Sequence, residues 1–292
     1  MRTLEHRKDD CVKNVTVVGS GVMGKGIAYA FATGGFNVHL NDLNDDILAK
    51  AKESIDELLD FSHEKGFLKK EAYDHACANI TYEANLEKAA KDSDLVVEAV
   101  LEKMDLKIDV FKKLDEICHA DTILATNTST MSPTEIGAQT SRPDKVLAMH
   151  FFNPVHKMKL IEVIRGLDTS DETVNTVREV TEKINKKMVE VNEFPGFVTS
   201  RMNCLIGNEA MNLLMEGVAS AEDIDNAMKL GLNHPMGPLE LADLVGLDSR
   251  LRNMEYLYEA LGEKYRPCPL LIKYVKAGRL GKKSGSGFYD YN

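Results

Sequence analysis

Apolar residues fall in short unbroken blocks along the first part of the chain, separated by longer stretches in which they recur every three or four positions. Blocks at 15–18, 36–40, 95–100, 123–126 and 146–150 have the length and β-branched content of strands buried on both faces. The stretches at roughly 22–34, 44–63 and 104–118 carry helical spacing. Strands alternating with helices predict an α/β fold: a mostly parallel sheet with crossover helices on its faces. Ser132-Pro133-Thr134-Glu135 marks a helix start, with Ser132 as cap, Pro133 in the first turn and Glu135 closing a capping box. Two more strands are expected at 160–164 and 188–191.

At Glu193-Phe-Pro-Gly-Phe197 the pattern changes. A Pro-Gly break is followed by helical spacing throughout, so the chain is expected to divide into an α/β domain over 1–194 and an all-α domain over 195–292. A long helix is expected over about 198–216. A second is capped by Ser220 and ends near Gly231, a third starts at Pro238, and a fourth is capped by Asp248 and ended by Gly262. So many helices leave apolar surface over, which makes a homodimer the expected assembly.

The first strand leads into Gly19-Ser20-Gly21-Val22-Met23-Gly24, and the second ends in Asp42. GxGxxG between strand and helix, with an acid about 20 residues on, is the dinucleotide fingerprint of Rossmann-type domains. Gly19 permits the tight turn, Gly21 lets a pyrophosphate approach the backbone, and Gly24 lets helix and strand pack closely. The helix N-terminus then faces the phosphates. Asp42 can accept from both ribose hydroxyls of NAD and repels the 2′-phosphate of NADP. No Arg follows it, so NAD is the expected cofactor.

Two polar residues interrupt later apolar strands. His150 ends Val146-Leu-Ala-Met-His150, and Glu162 sits inside Leu160-Ile-Glu-Val-Ile164, where a lone carboxylate is costly without a partner. If the two segments pair antiparallel about a turn near His156, His150 and Glu162 stand opposite each other. Such a pair suits alcohol oxidation, the imidazole accepting a proton and the carboxylate orienting it. Asn127-Thr128-Ser129 follows another strand at the carboxyl edge of the sheet, where ligands bind in this fold class. Ser129 either caps the turn or hydrogen-bonds the reacting oxygen.

Composition narrows the partners. With 36 Lys and Arg against 46 Asp and Glu, the net charge of -10 disfavours nucleic acid. No apolar run approaches the ~18 residues of a membrane span. Five scattered cysteines show no metal-ligand spacing and read as reduced thiols, which places the chain in the cytoplasm and gives it no metal. The charged stretch Met1–Asp10 reads as a disordered tail rather than a targeting signal.

Taken together, Gly19–Gly24, Asn127–Ser129, His150-Phe-Phe-Asn-Pro154, Pro195-Gly-Phe197 and Gly281-Lys-Lys-Ser-Gly-Ser-Gly-Phe-Tyr289 resemble the 3-hydroxyacyl-CoA dehydrogenase family, and within it the short bacterial 3-hydroxybutyryl-CoA dehydrogenases. The resemblance runs from Lys13 to Tyr291. It implies NAD-dependent, reversible oxidation of an (S)-3-hydroxyacyl-CoA, with His150 as base, Glu162 orienting it and Ser129 on the substrate oxygen. For the cofactor it implies the glycine loop, Asp42, Glu102, Lys107, Asn127, Ser129, Asn153 and Lys283. Lys65 roughly matches a lysine on the CoA phosphates, a solvated lysine being the other reading. Ser200 departs from the family pattern, which usually has Asn there; its hydroxyl offers one donor where the amide offers two.

Two other readings stay open: a related β-hydroxyacid dehydrogenase acting on a free acid, and a non-catalytic NAD-binding structural protein.

Overall fold

The computed structural model describes residues 12–291, so the expected tail Met1–Asp10 and Cys11 lie outside the described residues. The chain divides after Glu193 into two units.

The first unit runs β1 (Asn14–Val18), α1 (Val22–Thr33), β2 (Asn37–Asn41), α2 (Asp45–Glu64), α3 (Lys70–Asn79), β3 (Ile80–Tyr82), α4 (Leu86–Ala90), β4 (Leu95–Glu98) and α5 (Met104–Ile117). It continues with β5 (Ile123–Thr126), α6 (Pro133–Gly137), β6 (Val146–Phe151), β7 (Leu160–Arg165), α7 (Asp171–Lys183) and β8 (Lys187–Asn192). The eight strands form one sheet in the order β3-β2-β1-β4-β5-β6-β7-β8. Strands β1 to β6 are parallel, β7 runs antiparallel to β6, and β8 is parallel to β7. The order reverses between β1 and β4, which is where open α/β sheets bind ligands at their carboxyl ends.

Side-chain alternation explains the unbroken apolar blocks. Val15, Val17, Leu95, Val97 and Leu147 pack toward α1, α2 and α7, while Val18, Val96, Leu124 and Val146 pack toward α5 and α6. Both faces are covered at the centre of the sheet, so β4, β5 and β6 are buried at every position and need no polar face. Ser132 does cap α6, its hydroxyl accepting the Glu135 N–H at 3.0 Å.

The second unit contains α8 (Thr199–Met215), α9 (Ala221–Asn226) with a π-helical turn at Ala227–Gly231, α10 (Pro238–Val245), α11 (Leu247–Leu261) and α12 (Pro269–Lys276). Met211, Leu239, Leu247, Met254, Leu257 and Leu271 form its core. Two features differ from the sequence reading. Asp248 is not a cap: α10 and α11 meet at Gly246, whose φ of 101° turns the chain without a spacer. Asp248 falls in the first turn of α11 and pairs with Lys283 and Arg252. The C-terminal stretch is helical only in a single 3-10 turn at Lys282–Ser284. It forms bridges between Gly281 and Ser286 and between Ser286 and Asp290. Buried Asp243 holds this strap, accepting the N–H groups of Phe288 and Tyr289 and the Tyr291 hydroxyl.

Candidate active site

The β1–α1 loop is built for close approach. Gly19 has φ of 98°, and a Cβ there would stand 2.7 Å from the Ala99 carbonyl oxygen at the end of β4. At Gly24 a Cβ would meet the Gly19 carbonyl oxygen at 1.7 Å, so no other residue fits without moving the loop. Gly21, by contrast, faces open space. Helix α1 has no side-chain cap and no acid in its first turn, so its N–H groups and dipole are left for an anion. Ser20 is buried, Met23 half-buried, and Val22 is exposed beside the loop.

Asp42 ends the second crossover limb of the site. Its Oδ2 accepts the Ser20 N–H at 2.6 Å and the Ser20 hydroxyl at 2.7 Å, and its Oδ1 accepts the Leu43 N–H at 2.7 Å. Burial alone raises the Asp42 carboxyl, but these donors outweigh it and hold the group below its ordinary value. A carboxylate here accepts hydrogen bonds only, which suits vicinal hydroxyls and opposes a phosphate. The loop, the helix terminus and Asp42 together fit a dinucleotide with a free ribose diol.

At the next two strand ends, Asn127 Oδ1 accepts the Phe151 N–H at 3.0 Å and ties β5 to β6. Thr128, not Ser129, stabilises the turn: its hydroxyl accepts from Thr130 and Met131 and donates to Glu102 Oε1. Ser129 donates its N–H to the same carboxylate oxygen at 3.2 Å. Glu102 Oε2 meets Lys107 Nζ at 3.1 Å. Lys107 itself is wholly buried.

Strands β6 and β7 pair antiparallel with His150 opposite Glu162, the register the sequence pattern requires. His150 Nδ1 lies 2.8 Å from Glu162 Oε2, in a pair that is almost wholly buried. A carboxylate only accepts, so the proton sits on Nδ1 and Nε2 is the basic nitrogen. The Phe152 ring lies 4.4 Å from the imidazole, centroid to centroid, and walls one side of it. Because β6 is parallel to β1, β4 and β5, His150 stands at the same carboxyl edge as the glycine loop, Glu98 and the Asn127–Ser129 turn.

The other residues spread wider. Asn153 is exposed just beyond β6, before a cis bond to Pro154. Lys65 is exposed at the end of α2, its ammonium 5.9 Å from the Phe61 ring. Ser200 is half-buried in the first turn of α8, and Lys283 pairs with Asp248 inside the second unit. Sequence reasoning passed over two residues: Thr128, and Glu98, a carboxylate inside an apolar strand that gives the same signal as Glu162. Among the described residues no group of three His, Cys, Asp or Glu is placed to hold a metal, and no helix is long and apolar enough to cross a membrane.

Residues 14–194 match the family model for the NAD-binding domain of 3-hydroxyacyl-CoA dehydrogenase, and residues 196–291 match that for its C-terminal domain. The chain belongs to the 3-hydroxyacyl-CoA dehydrogenase family. It is therefore an NAD-dependent oxidoreductase of the Rossmann type followed by a helical domain. Among its relatives, a probable 3-hydroxybutyryl-CoA dehydrogenase of Bacillus subtilis is 50% identical over 281 residues, covering 96% of this chain and 98% of the relative. The 3-hydroxybutyryl-CoA dehydrogenase of Clostridioides difficile is also 50% identical, over 95% of this chain and 99% of its own. The crystal structure of (S)-3-hydroxybutyryl-CoA dehydrogenase from Ralstonia eutropha superposes with a TM-score of 0.93 at 43% identity, covering 96% of this chain and 99% of that one.

Proposed function

We propose that this 3-hydroxyacyl-CoA dehydrogenase interconverts (S)-3-hydroxybutyryl-CoA and acetoacetyl-CoA. The observation that carries the reading is the 2.8 Å bond between His150 Nδ1 and Glu162 Oε2, at the sheet edge that also bears the dinucleotide loop. Similarity to the bacillar, clostridial and Ralstonia enzymes supports the acyl-CoA and its configuration.

When bound, NAD supplies the hydride acceptor. His150 Nε2 takes the proton of the 3-hydroxyl as the carbonyl forms, and Glu162 stabilises the resulting imidazolium. In the reverse direction the imidazolium returns that proton to the new alkoxide. Ser129, at the turn beside β6, donates its hydroxyl to the same oxygen. Gly19 to Gly24 and Asp42 hold the dinucleotide, with Glu102, Lys107, Asn127, Ser129, Asn153 and Lys283 assigned to it by family likeness. Lys65 is assigned to the CoA phosphates and Ser200 to the substrate oxygen on the same ground. The domain boundary is placed between residues 194 and 195.

Steady-state kinetics with NADH test this reading. Acetoacetyl-CoA is expected to be reduced and free acetoacetate left untouched, with NADPH a poor substitute. Turnover of the free acid would favour the β-hydroxyacid dehydrogenase alternative, and NADH binding without turnover the structural one. We also propose a cytoplasmic homodimer. Cys77, Cys118, Cys204 and Cys268 are free, as suits a reducing compartment, and Met202, Leu230, Leu232 and Leu244 leave apolar surface on the second unit. Light scattering at twice the 32.5 kDa chain mass is the expected result.

A further inference from the structure

Glu98, the last residue of β4, has no accessible surface and takes no part in the chemistry above. Its Oε1 accepts the Val100 N–H at 2.7 Å and Lys107 Nζ at 2.9 Å. Its Oε2 accepts the Thr126 hydroxyl at 2.7 Å and Lys107 Nζ at 3.0 Å. Lysine and glutamate are almost never wholly buried unless paired, and a buried ion pair is weak evidence of added stability. Burial pushes the Glu98 carboxyl up, and Lys107, Thr126 and Val100 oppose the rise.

The pair is not closed on itself. The Lys107 ammonium also bonds Glu102 Oε2, and the Glu102 side chain is 40% exposed. Glu102 Oε1 takes the Thr128 hydroxyl and the Ser129 N–H. A carboxylate has about four lone-pair sites, and three of these are now occupied by groups of the protein. Glu102 is thus held by Lys107 on one oxygen and by the turn on the other, while its side chain stays 40% exposed.

We propose that Glu98 is a positioning residue: by anchoring Lys107 at the end of β4 it fixes the direction of the Glu102 carboxylate, and with it the Ser129 turn, toward the bound dinucleotide. Lys107 has one ammonium to share between two carboxylates. Without the charge of Glu98 it leans fully on Glu102, draws that carboxylate inward and removes its outward acceptor. The inference rests on the reading that this edge binds NAD.

A double-mutant cycle on NADH affinity, read by fluorescence titration, tests it. Glu98→Gln and Lys107→Met are each expected to weaken NADH by about tenfold, and the double variant to be no weaker than Lys107→Met alone. Effects that multiply, or variants that melt earlier yet bind NADH within twofold of the parent, overturn the proposal. Should Glu98→Gln fail to fold, Thr126→Val removes one donor to Glu98, and Glu102→Gln alters the exposed end. Thr126→Val is then expected to weaken NADH severalfold in the parent but not in the Glu102→Gln background, and equal weakening in both overturns the proposal. Failure of the parent protein to bind NADH would remove the cofactor reading itself, and this inference with it. Unchanged binding by the variants removes the inference alone.

Discussion

Asp42 accepts both hydrogen bonds that Ser20 can donate, at 2.6 Å from the backbone and 2.7 Å from the hydroxyl, so one carboxylate fastens the end of β2 to the glycine loop. The residue proposed to select the ribose is thereby also a brace of the glycine loop. Asp42→Ala is expected to weaken NADH by about tenfold or more, through loss of a charged acceptor worth ~1.5–3 kcal/mol. NADPH should gain relative to NADH without matching the parent's NADH affinity, since no cation replaces the acid. Paired titrations of the two nucleotides check this.

The glycines of the loop should separate by substitution. A methyl at Gly24 would overlap the Gly19 carbonyl, whereas one at Gly21 meets no protein atom. Gly24→Ala is expected to lower the melting temperature and abolish NADH binding together. Gly21→Ala should leave the melting temperature nearly unchanged and weaken NADH alone, because only the ligand needs that space. Thermal melts beside NADH titrations distinguish the two.

Acid stability should depend on Asp115. Burial raises its carboxyl, but the Ser141 N–H, the Arg142 guanidinium and the Ser141 hydroxyl outweigh that and hold it below the ordinary value. A carboxyl depressed in the folded state gives stability that is present above its unfolded pKa, near ~3.9, and lost as pH falls through the lower folded value. Asp115→Asn is expected to destabilise the protein at pH 7 and to flatten the acid limb of its stability curve. Urea unfolding between pH 3 and pH 7 measures this.

Ser200, proposed above to meet the substrate oxygen, sits half-buried in the first turn of α8. In that role its hydroxyl would offer one donor where an amide offers two. Ser200→Ala is expected to lower kcat/KM for acetoacetyl-CoA by less than tenfold, and Ser200→Asn to raise it. A loss with Ser200→Ala equal to that of a His150 variant would make the hydroxyl essential to the chemistry.

Most of the first unit was legible because its signals are local and independent. Unbroken apolar blocks mark strands covered on both faces, and two polar intrusions, His150 and Glu162, fix the β6–β7 register by needing each other. Less legible were α3 and β3: the former is mostly polar at its surface and the latter only three residues long, so neither carries a clear period. Asp248 misled because a good capping residue beside a helix start was displaced by the special backbone of Gly246. The Glu98–Lys107–Glu102 chain depends on contacts across β4, α5 and β5 that no local pattern encodes.

The central claim is that His150 moves the substrate proton. It is tested most directly by kcat of His150→Gln for reduction of acetoacetyl-CoA, measured with NADH affinity on the same sample. The expected result is a fall of about 10²–10⁴-fold in kcat with NADH affinity retained, the range a positioned acid–base group supplies. Turnover within a few-fold of the parent, with NADH still bound, would contradict the account.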